Sequence, residues 1–116
     1  MRIKKSYQGV SPELLYDEIR DFALKQGVEV DTAKMDTYSS PGDSSSYVSR
    51  GTLTFTNRGK PGEAKRECLM VHIVGPAKGE IKVLLDIDEE LFSQDKVSAF
   101  QEDLDFVFSS YKTNAT

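Results

Sequence analysis

The chain of 116 residues has no tryptophan, one cysteine (Cys68) and one histidine (His72). A single cysteine cannot close an internal disulfide, which fits a reducing compartment. No apolar run approaches the roughly 18 residues that a membrane-spanning helix needs. The start, MRIKKSYQGV, carries charge without an apolar stretch behind it, so no secretory signal is expected and the expected location is the cytoplasm. Basic residues do not dominate either. The net charge of −4 argues against general polyanion binding and hence against nucleic acid as a partner.

Chemical motifs are equally scarce. RGKPGEAKR, 58–66, is basic and contains glycine, but it lacks Walker spacing and a following helix, so it reads as a hairpin tip. LLDIDEELF, 84–92, gathers Asp86, Asp88, Glu89 and Glu90. A calcium loop alternates its oxygen ligands over about twelve residues around a turn glycine. This stretch has no such glycine, and acids just before a helix favour the helix dipole, so no metal or other cofactor is expected.

The residues present describe one α+β domain over 1–116. MRIKKSY predicts a first strand with Ile3 and Tyr7 inward and its basic residues outward. VSPELLYDEIRDFALKQGV predicts a helix: Ser11 as N-cap, Pro12 at the first position, a stripe of Leu15, Ile19, Phe22 and Ala23 joined by Leu14, and Gly27 as the stop. VEVDTAKMDTY, 28–38, reads as a strand whose apolar parity slips near Asp31–Thr32, as a bulge or an edge position there would cause. SSPGDSSS, 39–46, reads as a flexible loop, and 113–116 as a disordered tail. YVSRGTLTFTN, RECLMVHIV and IKVLLDI alternate as strands. Val97, Phe100, Leu104, Val107 or Phe108, and Tyr111 recur at helical spacing after Ser93.

The order strand, helix, four strands, helix, with short loops between consecutive strands, predicts an antiparallel sheet with both helices on one face. This element order resembles the TATA-binding-protein-like and helix-grip folds. The resemblance rests on order alone and carries no functional residue across; such folds host unrelated functions.

ECLMVHIVG, 67–75, holds the two rarest side chains. On a strand, four steps of about 3.3 Å put Cys68 and His72 roughly 13 Å apart on one face, too far for a thiol–imidazole pair or a shared metal. With Leu69, Val71 and Ile73 in the core, the opposite face collects Val48, Arg50, Thr52, Cys68, Met70, His72 and Leu84. Such a face is more apolar than a fully solvated sheet face usually is. The expected function is therefore a non-catalytic module that binds a partner protein or a second copy of itself as a homodimer through this face. The alternative is a ligand binder or enzyme with a pocket between sheet and C-terminal helix, lined by Phe55, Phe100, Leu104, Phe108 and Tyr111. Charge segregates along the chain: basic residues dominate from Tyr47 to Lys82, acidic ones from Asp86 to Asp105.

Overall fold

Local chemistry sets the first helix. In the computed structural model, which describes residues 1–40, 43–58, 60–76 and 79–111, Ser11 Oγ accepts the Leu14 N–H at 3.1 Å and Pro12 opens α1 (Pro12–Lys25). Glu13 in the first turn and Lys25 in the last complement the helix dipole. Gly27, at φ 87°, takes the left-handed conformation that ends the helix. Leu15, Ile19 and Ala23 are wholly buried, as their spacing predicts. Leu14 is exposed instead, because it falls beside the stripe rather than on it.

The strands are β1 (Arg2–Gln8), β2 (Glu29–Ser40), β3 (Asp43–Asn57), β4 (Arg66–Pro76) and β5 (Glu80–Ile87), followed by α2 (Gln94–Phe108) and a short 3-10 turn, Ser109–Tyr111. They form one sheet in the order β1-β5-β4-β3-β2, with every neighbouring pair antiparallel. The predicted α+β class and element order are those observed. The expected slip in β2 is a register shift between Val30 and Thr32. β2 and β3 run further than expected into the 39–46 stretch, pairing Ser40 with Asp43; positions 41 and 42 lie outside the described residues, as does the predicted tail.

One face of the sheet and both helices enclose the core. Leu53, Phe55, Leu69, Val71, Ile73, Val83 and Leu85 meet Leu15 and Ile19 of α1 and Val97, Phe100, Leu104 and Phe108 of α2. Phe108 rather than Val107 completes the α2 stripe; Val107 is exposed. Two edge-to-face pairs fix α2: Tyr7–Phe108 joins it to β1 and Phe92–Phe100 to the turn before it, with ring centroids 5.9 and 6.2 Å apart.

β1 departs from expectation at one residue. Strand alternation puts Lys5 on the same face as Ile3 and Tyr7, toward the helices. Its side chain is 7% exposed, and its ammonium donates to Asp105 Oδ1 on α2 at 3.2 Å. A buried ammonium is tolerated because a carboxylate meets it.

Candidate functional site

The second face of the sheet carries no helix. Backbone register lays its side chains out in rows across the five strands. One row is Lys34, Thr52, His72, Leu84 and Lys4; the next is Asp36, Arg50, Val74, Lys82 and Ser6; a third is Thr32, Thr54, Met70, Asp86 and Arg2. Val48 stands opposite Pro76 at the far end. Val48, Arg50, Thr52, Met70, His72 and Leu84 thus share the open face, as the alternation predicts. Thr52, Met70, His72, Val74 and Leu84 are half-buried against one another, while Arg50, Lys4 and Lys82 are exposed.

Cys68 does not belong with them. Phe55 pairs with Leu69 but Thr56 pairs with Glu67, so Cys68 is the extra residue of a bulge in β4. The bulge turns Cys68 and Leu69 both toward the core, and Cys68 is 1% exposed. Its thiol lies 3.5 Å from the Phe55 carbonyl oxygen, which accepts from it. Burial pushes the thiol up to about 11 from an ordinary value of 9.0, so at neutral pH it is a protonated core group. The sheet itself therefore separates Cys68 from His72, which disposes of a catalytic pair more firmly than their spacing does. Four successive apolar residues, Cys68 to Val71, leave this bulge unmarked in the strand's own sequence.

His72 has a modest setting. Its Nδ1 is 3.5 Å from Thr52 Oγ1 and its Nε2 is 3.0 Å from Met70 Sδ. Among the described residues these are its side-chain hydrogen-bond contacts, and neither is a carboxylate. The acidic run is likewise spent on structure. Asp86 pairs with Arg2 at 2.8 Å, and Asp88 Oδ1 accepts the Glu90 N–H at 3.0 Å in the turn before α2. No group of three His, Cys, Asp or Glu side chains among the described residues is placed to hold a metal ion.

Phe55, Phe100, Leu104 and Phe108 are buried to 1% exposure or less, and Tyr111 lies at the rim with its ring 6.3 Å from that of Phe108. These residues are the packing between sheet and α2. The broadest of three described depressions, ≈ 700 Å³, lies instead on the open face, where Lys4, Ser6, His72, Val74, Lys82 and Leu84 line it with Glu80 at its end. Two smaller ones, ≈ 400 and ≈ 220 Å³, sit at strand ends around Met1–Asp88 and around Gly27–Lys65.

Charge is divided between the two faces. Among the described residues, Lys4, Lys82 and Arg50 have no carboxylate within ion-pair distance, whereas Lys34 pairs with Asp36 on the same face. The helices are the acidic side: Glu13, Asp17, Glu18 and Asp21 on α1, and Asp95, Glu102, Asp103 and Asp105 on α2, against Arg20, Lys25 and Lys96. Comparisons with protein-family models, curated proteins and solved structures return no match. No helix among the described residues is long and apolar enough to cross a membrane.

Proposed function

We propose that this protein is a non-catalytic interaction module whose working surface is the open face of its sheet. The observation that supports this most is the half-buried strip of Met70, His72, Val74 and Leu84 on a face without a covering helix. Apolar side chains gathered in this way on a sheet surface mark interaction sites more often than solvated ones. The filled core favours this reading over a pocket between sheet and α2, since a ligand site needs a concave space there. The isolated His72 and the sealed Cys68 favour binding over catalysis.

A photo-cross-linking residue at Leu84, compared with one at exposed Glu102 on α2, tests the reading in cells. Discrete protein adducts from position 84 and none from position 102 are expected. Equal adducts from both positions, or none from position 84, would overturn it. Sedimentation of the purified chain distinguishes a second copy from a different partner.

A further inference from the structure

The charge on this face says what kind of protein fits it. We infer that its occupant is an extended acidic segment of a partner protein, laid across β3, β4, β5 and β1 with carboxylates on Arg50, Lys82 and Lys4. The inference rests on the reading of the open face as the interaction surface.

Three observations carry it. First, Lys4, Lys82 and Arg50 surround the apolar centre formed by Val74, Leu84 and His72, and none has a carboxylate partner among the described residues. The other two cations of the face, Arg2 and Lys34, are already paired, at 2.8 and 3.5 Å. A partner that covers the half-buried apolar strip between three exposed cations gains charge complementarity by bringing anions to them. Second, Arg50 and Lys82 stand in one register row with Val74 between them. Two strand spacings separate them by roughly 10 Å, close to one turn of about three residues in a polyproline-II-like extended chain, where residues three apart share a side. Acids three apart, with aliphatic residues between, match that row. Glu80, at the end of the depression, sets a boundary: a carboxylate there would be repelled.

Third, the competing occupants fit less well. Two copies meeting sheet to sheet would bring Lys4, Lys82 and Arg50 against a surface with the same unpaired cations. Like charges juxtaposed at an interface are costly. A nucleic acid would meet the same cations, but the centre of the face offers no Phe, Tyr or Trp for bases to stack on, only the single ring of His72, and the helix side of the chain is acidic. An acidic peptide needs neither a stacking platform nor a basic protein.

The probe is a labelled ten-residue peptide with glutamate at every third position and leucine or valine between, titrated against the full chain by fluorescence anisotropy. Binding is expected to weaken roughly tenfold between about 50 and about 300 mM salt. Lys82→Glu should weaken it roughly tenfold at low salt, while the same charge change at Lys60, on the distant β3–β4 loop, should leave it within about twofold. Lys82 is exposed, so the variant folds, and an unchanged melting temperature verifies this. Absence of binding, or equal weakening by Lys82→Glu and Lys60→Glu, would overturn the proposal. The two readings fail separately. Adducts at position 84 without affinity for the probe leave the open face as the interaction surface and remove the acidic occupant. An adduct of twice the chain mass identifies a second copy and also removes it. No adduct at position 84 removes both.

Discussion

Lys5 offers a sharp test of how this fold accommodates charge. Its ammonium is buried under α2 and meets one carboxylate, Asp105, at 3.2 Å. Asp105→Asn keeps the shape and removes the countercharge. Breaking a fully buried pair costs about 3–5 kcal/mol. Here the Asp105 side chain is 49% exposed, so water screens the pair and reaches the ammonium. The expected cost is therefore lower, about 1–2 kcal/mol. For a chain of this size that corresponds to a fall of about 4–8 °C in melting temperature. Lys5→Met removes the charge that needs a partner and keeps the aliphatic volume, so it should lie within about 1 kcal/mol of the parent, on either side. In the Lys5→Met background, Asp105→Asn should then cost almost nothing, since the interaction it breaks is gone. Urea unfolding of the four proteins, with slopes compared to establish two-state behaviour, gives the cycle directly. If Lys5→Met is markedly less stable than Asp105→Asn, the lysine is itself stabilising and the reasoning fails.

Three further outcomes follow from the packing. A Cβ at Gly75 would lie 2.8 Å from Ile81 Cα and 2.9 Å from the Glu80 carbonyl oxygen, both backbone, so Gly75→Ala should cost about 1–3 kcal/mol in chemical denaturation. Gly51→Ala should cost less, because its neighbours at 2.9 Å are side chains, the flexible end of Met35 and the ring of Tyr16, rather than backbone. Burial raises the Cys68 thiol from 9.0 to about 11, and burial followed by the charge of Asp105 raises the Tyr7 hydroxyl. Both groups ionise more readily in the unfolded chain. For Cys68 the stabilisation is complete below about pH 9 and is lost as the pH rises through about 11, while for Tyr7 the loss begins only near its ordinary 10.0 and continues beyond, so the melting temperature should fall from pH 9 upward and Cys68→Ala should flatten the fall between 9 and 11. Leu84→Lys, on the open face, should shift stability by less than about 1 kcal/mol, whereas Leu69→Ala, in the core, should cost about 2–5 kcal/mol; the contrast is read by thermal melts.

The legible parts of this fold were those where one period ran without interruption. Ser11, Pro12 and Gly27 bracket α1 because capping chemistry is local. β3 and β5 alternate cleanly because each has one face on the core and one free of it. The errors fall where a backbone detail breaks the period. Cys68 moves to the core because one extra residue in β4 resets the parity, and a bulge depends on pairing with β3, which one strand's sequence does not contain. Its counterpart in β2 was readable because Val30 and Ala33 betray the slip within the strand itself. Lys5 was misplaced because its charge suggested solvent, while alternation with Ile3 and Tyr7 already put it inward; the compensating Asp105 lies a hundred residues away. The open face was assembled correctly apart from Cys68, since its members follow from alternation. Its unpaired cations came from register: only the cross-strand rows reveal that Lys4, Lys82 and Arg50 surround one apolar centre while Asp86 and Asp36 are occupied elsewhere.

The central claim is that the open sheet face, and not the helix side, is where this protein meets other molecules. A photo-cross-linking residue carried in turn at Thr52 and Leu84 on that face, and at Glu18 and Glu102 on the helices, measures this most directly in cells. The account predicts the same discrete adduct from both sheet positions and none from the helical ones. Adducts confined to the helical positions would contradict it.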